Sequence, residues 1–307
     1  MSKKPKISAI ICTFNREEYL GGAIESLINQ TLDEYEIIVV DNASSDRTKE
    51  IATSYPQVTY IYEPVQGLSI ARNTGAKIAK ADILAYLDDD AEASKNWLDE
   101  IYKAYEKNEK LAIAGGKVSL IWKNEQQKPT WLSDNLAASL GLYNLGDEEI
   151  YITNPELTPR GLNYSLRKSF LESMGGFNIN LGRMGKNLLS NEELYMTEIA
   201  IKNGWQVAYL PLALVAHNIA PERLKLSWFF QRNWWQGVSE YYRQQVDGSF
   251  TSKNLLEAGE NILRGVYKSI KNLPKGTESM DNILYAYGQI GYINAALQNW
   301  GKSNIKK

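Results

Sequence analysis

The sequence predicts an α/β protein with a mostly parallel central sheet flanked by helices and a helical extension at its C-terminal end. Short apolar runs alternate with stretches of helical spacing through the first ninety residues. Acidic or hydroxyl residues stand where several of those runs stop, and from residue 221 onward the pattern is helical. Of 307 residues, 44% are hydrophobic and 23% charged, which suits a chain that buries a sizeable core and argues against a disordered one.

Residues 6–13 hold Ile7, Ala9, Ile10, Ile11 and Cys12, an unbroken apolar run of the kind a strand covered on both faces shows. Residues 16–30 then space Leu20, Ala23, Ile24, Leu27 and Ile28 for one helical face, with Asn15 placed to cap it. A second strand is expected over 36–41, a helix from Asp46, a third strand over 58–62, a helix over 68–79 and a fourth strand over 83–87. Four strands linked by helices in so short a chain require a parallel arrangement. Beyond them come a strand over 111–120, a loop-rich stretch over 122–159, a strand over 163–167, a helix over 191–203, and one or two strands around Pro211. No repeat of 20 to 50 residues is present.

Charge and cysteine content remove several classes. With 34 Lys and Arg against 36 Asp and Glu, the net charge of −2 does not describe a protein built to neutralise nucleic acid. Residues 221–307 carry 12 Lys and Arg against 7 Asp and Glu, a net of +5, which leaves −7 for residues 1–220. Cys12 is the only cysteine, so no intrachain disulfide or multi-cysteine metal centre exists, and a reducing cytoplasm is expected. The basic start is followed by an apolar stretch that Thr13-Phe14-Asn15-Arg16 interrupts, so no leader is expected, nor any membrane span.

Ligands of open parallel sheets bind beyond the carboxyl ends of the strands, where Thr13, Asp41 and Asp88-Asp89-Asp90 fall. Thr13-Phe14-Asn15-Arg16 has neither the glycines of a dinucleotide turn nor the Gly-Lys-Ser/Thr ending of a phosphate-cradling loop. A carboxylate-rich crevice holds a diphosphate only through a bridging cation. Asp88-Asp89-Asp90 offers alternate carboxylates for such a cation; its plainer reading is that Asp90 caps a following helix. Three adjacent like charges need neutralising, which favours the cation. Asp41 reads as a ribose or base contact, or as part of a polar turn capped by Asp46. Arg72 is equally suited to a phosphate and to a structural ion pair. His217, the only histidine, reads by itself as a packed or hydrogen-bonded residue.

The ordered set of segments resembles the inverting family 2 glycosyltransferases, which have the GT-A Rossmann-like nucleotide-sugar-binding fold. The segments are Ser8-Ala9-Ile10-Ile11-Cys12-Thr13-Phe14-Asn15-Arg16, Ser26-Leu27-Ile28-Asn29-Gln30-Thr31, Val39-Val40-Asp41-Asn42-Ala43-Ser44-Ser45-Asp46, Gly67-Leu68-Ser69-Ile70-Ala71-Arg72-Asn73 and Leu87-Asp88-Asp89-Asp90. They continue with Gly161-Leu162-Asn163, Gly175-Gly176-Phe177, Asn191-Glu192-Glu193-Leu194 and Val215-Ala216-His217, so that the likeness spans about residues 6–220.

The resemblance implies a catalytic domain over 1–220, its nucleotide-sugar half over 1–120 and its acceptor half over 121–220, with a helical extension over 221–307. It implies that Thr13, Asn15 and Asp41 hold the nucleoside of a UDP-sugar, that Arg72, Asp88 and Asp89 serve the ribose and diphosphate, and that Asp90 and His217 bind Mn²⁺ or Mg²⁺. Arg183 and Lys186, between Gly182 and Gly185, belong to a loop that closes on the diphosphate or is only solvated. The family's Glu-Asp is Glu192-Glu193 here. The extra methylene moves the carboxylate by about 1.5 Å, with Glu193 on the base position and Glu192 as the alternative. The implied reaction is a single displacement with inversion onto a saccharide or lipid-linked acceptor, in polysaccharide or glycolipid assembly. The competing readings are a noncatalytic nucleotide-sugar or carbohydrate-binding assembly protein and a sugar nucleotidyltransferase. The aromatics of residues 226–242 and the uncharged stretch inside 281–302 suit either packing, a homodimer contact or peripheral attachment to the inner membrane face.

Overall fold

The computed structural model describes residues 4–122, 128–185 and 187–303. Its elements in chain order are β1 (Ile7–Thr13), α1 (Leu20–Ile28), β2 (Tyr35–Asp41), α2 (Thr48–Thr53), β3 (Val58–Tyr62), α3 (Leu68–Ile78), β4 (Ile83–Asp88), β5 (Ala91–Ala93) and α4 (Trp97–Lys107). There follow β6 (Leu111–Trp122), α5 (Asp134–Ser139), β7 (Ile150–Tyr151), β8 (Asn163–Arg167), α6 (Lys168–Ser173), α7 (Glu192–Lys202), β9 (Gln206–Ile219), α8 (Leu226–Asp247), α9 (Ser252–Lys271) and α10 (Thr277–Ser303).

The strands form one sheet in the order β3-β2-β1-β4-β8-β6-β9-β5, with β7 paired to β9. As the alternation requires, β3, β2, β1 and β4 run parallel. The register sets Thr13 beside Asp41 and Cys12 beside Asp88, so the strand-end residues share one edge. β8 joins β4 antiparallel, and β5 and β7 pair antiparallel with β9. Ile7, Ile10, Ile11, Ile38, Val39, Val40 and Leu84 are fully or almost fully buried, the reason these runs read as continuously apolar. The chain is thus an α/β fold with a central sheet flanked by helices and a helical C-terminal part, consistent with GT-A.

Two local readings are corrected. α1 begins at Leu20, and Asn15 does not cap it. Asn15 instead takes a left-handed φ of 53°, accepts a hydrogen bond from the Ser45 amide at 2.8 Å and donates its own amide to Ser44 Oγ at 2.9 Å. Asp90 opens no helix, because β9 captures residues 91–93 as strand β5. Around Pro211, where one or two strands were open, there is one, β9, of 14 residues.

The described residues divide into two compact units. The first comprises Met1–Ile121, Gly141–Ile179 and Glu192–Ile219; the second comprises Trp122–Leu140, Asn180–Asn191 and Ala220–Lys307. In the second, α10 packs along α8 and α9. Gly237 and Gly291 let the backbones of α8 and α10 touch, since a Cβ on either would strike the facing main chain. Val238, Tyr241, Ala258, Tyr292, Ala295 and Ala296 form this unit's core. Phe229 is buried edge-on to Trp131 and Trp228, so much of the α8 aromatic content is spent on packing. Among the described residues no helix is long and apolar enough to cross a membrane.

Candidate active site

The loop after β2 is built around two side chains. Asp41 Oδ1 accepts from the Ser44 amide at 2.9 Å and Oδ2 from the Tyr60 hydroxyl at 2.8 Å. Burial first, and then the bond to Asp41, raise the Tyr60 pKa. Asn42 reaches across to the β3–α3 loop, donating to the Val65 carbonyl at 2.7 Å and accepting from the Gly67 amide at 2.7 Å. Gly67, at a φ of 151°, turns the chain into α3 and so sets where Arg72 lies.

Arg72 is 2% exposed and donates from Nη1 to Glu193 Oε1 at 2.8 Å and to Glu192 Oε1 at 3.1 Å. Burial alone would lower its pKa, but Glu193, Glu192 and Asp88 together raise it, so the guanidinium stays charged. Arg72 thus makes the ion pair that its plainer reading expects. Phe177 and Tyr86 flank the guanidinium at 5.4 and 5.9 Å from their ring centres, and Tyr86 donates to the Arg72 carbonyl at 3.0 Å. Asn73 holds Phe177 by both backbone groups, at 2.8 and 2.9 Å, against the left-handed turn at Gly175 and Gly176. Gly161 completes the pocket by omission: a Cβ there would overlap Glu193 Oε1 and come within 2.6 Å of Arg72.

Asp88 ends β4 and Asp89 and Asp90 follow it, the last two being buried. Burial and the charge of Asp90 push the Asp89 carboxyl well above the ordinary carboxylate range, opposed by Arg16. Arg16 stands 4.0 Å from Asp89 Oδ1 and 3.8 Å from Asp90 Oδ2. His217 Nε2 lies 3.1 Å from Asp90 Oδ1, across the pairing of Ala91 with His217 that joins β5 to β9. Gly141, at a φ of 99°, leaves space against the imidazole, where a Cβ would sit 3.1 Å from Nδ1. Helix α1 and the residues after it steady this turn: Ser26 Oγ of α1 accepts from the Ala93 amide at 3.1 Å, and Gln30, past its end, bonds the Ser94 carbonyl and the Leu98 amide at 2.8 and 2.9 Å. Among the described residues no three His, Cys, Asp or Glu side chains converge as a group that could hold a metal ion.

Two nearby cations went unread as site residues in the sequence. Arg160 precedes Gly161, lies 5.2 Å from the Tyr143 ring centre, and has a buried Nε without a hydrogen-bond partner. Burial lowers its pKa, with Tyr143 and Glu193 opposing. Thr13 is buried beside Asp41 at the strand end, and Cys12 is held as a neutral thiol, its pKa pushed to about 12 by burial. Arg183 is exposed on the second unit, and Lys186 lies outside the described residues.

Comparison with known proteins agrees with this geometry. Residues 8–165 match glycosyl transferase family 2. A glucosyl-dolichyl phosphate glucuronosyltransferase of Haloferax volcanii is 26% identical over 246 residues, covering 76% of each chain. The glycosyltransferase AglE of the same organism is 25% identical over 72% of this chain and 69% of its own. A cholesterol galactosyltransferase of Borreliella burgdorferi is 35% identical over 32% of this chain and 29% of its own. With half the chain matched and the strand-end residues brought to one edge of a parallel sheet, the protein belongs to glycosyl transferase family 2 and is a glycosyltransferase of the typically inverting kind.

Proposed function

We propose that this enzyme moves a sugar from a UDP-sugar to a hydroxyl of a saccharide or lipid-linked acceptor, with inversion, in polysaccharide or glycolipid biosynthesis. The observation that carries the reading is the separation of two acidic centres by role: Arg72 holds Glu192 and Glu193 at the start of α7, while Asp88, Asp89 and Asp90 gather with His217 at the end of β4. The match to a relative whose name specifies a dolichyl phosphate sugar supports the lipid-linked acceptor.

In this reading Glu193 is the base. Its side chain is 15% exposed against 3% for Glu192, so an acceptor hydroxyl can approach it. Arg72 occupies Oε1 and turns the carboxylate, leaving Oε2 to accept the proton. Thr13 and Asp41 meet the uracil, Asn15 keeps the loop after β2 in place, and Asp88 and Asp89 serve the ribose side. Arg160 Nε, buried without a partner beside Gly161, offers a donor to an anionic part of a substrate. Asp90 and His217 fit Mn²⁺ or Mg²⁺ arriving with the diphosphate, which would supply the remaining oxygens. When bound, the cation adds positive charge to the leaving diphosphate. Inversion needs only one carboxylate on the acceptor side, which is what the greater exposure of Glu193 provides.

Calorimetric titration with UDP, GDP, CDP and dTDP, with and without Mn²⁺, tests the donor site. Metal-dependent binding of UDP, lost in Asp90→Ala, is the expected result. Failure of all four nucleotides at millimolar concentration would overturn the donor assignment.

A further inference from the structure

The longest exposed apolar stripe lies on α9, not on the aromatic α8 or the uncharged part of α10. Leu256, Leu263, Tyr267 and Ile270 are between 64% and 73% exposed, and Val266 lies beside them. At about 100° per residue these positions fall on one side of the helix. Ala258 and Gly265 are buried on the opposite side, where Gly265 closes onto Ala286 of α10. Leu273, in the turn after α9, is 65% exposed and extends the stripe. Along its flank run Lys253, Arg264, Lys268 and Lys271 with Glu257 and Glu260, and the acids fall only in the N-terminal half; Lys275 lies beyond. Lys253 pairs with Glu257 and Lys275 with Glu278, both within their own segments.

We propose that α9 docks on an anionic bilayer surface, its apolar stripe entering the headgroup region while Arg264, Lys268 and Lys271 meet lipid phosphates. Charge complementarity selects this occupant: residues 261–271 join the apolar stripe to Arg264, Lys268 and Lys271 with no acid among them, which matches an anionic interface. A second copy of the chain is less well served, because six apolar side chains fall far short of the roughly 20–30 residues per side of a stable protein interface. The purpose of such docking rests on the lipid-linked acceptor of the proposed function, but its geometry does not.

Cosedimentation of the full chain with phosphatidylglycerol-rich vesicles and with pure phosphatidylcholine vesicles is the test. Binding to the anionic vesicles that weakens with salt is expected. Lys268→Gln with Lys271→Gln should lower it about thirtyfold, at about 1 kcal/mol per cation. Leu263→Ser with Ile270→Ser should abolish it. Both pairs should leave the circular-dichroism melting curve in place, since the side chains are already exposed. The proposal is overturned if the wild-type chain binds neither vesicle, or if neither pair reduces binding. It is also overturned if sedimentation velocity shows a dimer that the Ser pair dissolves while vesicles are ignored. Vesicle binding that persists when UDP binding fails would separate this inference from the donor assignment.

Discussion

At Arg72 a fully buried guanidinium is tolerable because two carboxylates and two aromatic rings surround it. The same contacts fix Glu193, and they make two predictions at the scale of single residues. Glu193→Gln keeps the shape and the bond from Arg72 but cannot take a proton, so sugar transfer should fall by roughly 10² to 10⁴ while UDP affinity is unchanged. Single-turnover transfer beside calorimetry would check this, and loss of UDP affinity would count against the base assignment. Gly161→Ala drives a methyl into Glu193 and Arg72. Transfer should drop at least about tenfold by displacement of the base, again with UDP affinity preserved; normal turnover would mean that the base lies elsewhere. The sequence made Glu193, Asp90 and His217 visible as residue types at element ends. It could not reveal that Arg72 answers the glutamates, because 120 and 121 residues separate the partners.

Between elements, asparagine side chains do the joining. Asn163 is fully buried in β8, accepts from Trp97 Nε1 of α4 at 2.8 Å and donates to the Ala213 carbonyl of β9 at 2.8 Å. Gly115 of β6 must lack a side chain because a Cβ would overlap the Asn163 carbonyl. Asn163→Ala strands a buried indole N–H and a buried carbonyl, so the protein should lose roughly 3 kcal/mol of stability. Equilibrium urea unfolding would measure it, and a loss well below 1 kcal/mol would show that water or a neighbour replaces the amide. Asn42, just after β2, and Asn73, within α3, do comparable work. The strands and helices themselves were readable from periodicity, and β8 falls at the residues expected. The asparagine bonds were not readable, since a polar residue in an apolar strand has no local sign of which distant carbonyl it will meet.

For the molecule, the sequence drew its boundary at residue 220, where the charge changes, but the second compact unit also gathers 122–140 and 180–191. Within that unit Ser133 Oγ donates to Asp281 at 2.6 Å, and the Ser190 amide donates to Ser239 Oγ at 3.0 Å. Trp131 and Phe229 meet edge to face at 5.2 Å. A chain ending at 220 therefore strips those two segments of their partners. Limited proteolysis of such a fragment should cut first within 122–140 and 180–191, at sites protected in the full chain. Equal protection in both would refute the shared unit.

By itself the sequence determined the alternation of β1 to β4 with α1 to α3, the parallel nucleus, the acids at the strand ends and the family, but not β5, β7 or α4 to α6, because burial periodicity and turn chemistry act over a few residues and short elements carry little of either. The tertiary structure decided which charges meet. It set Arg72 on the glutamates, His217 beside Asp90 and Arg16 beside the aspartates, and left the exposed apolar stripe to α9. Those outcomes depend on how distant segments pack, and the free energy of a buried charge depends on neighbours that only the folded chain supplies.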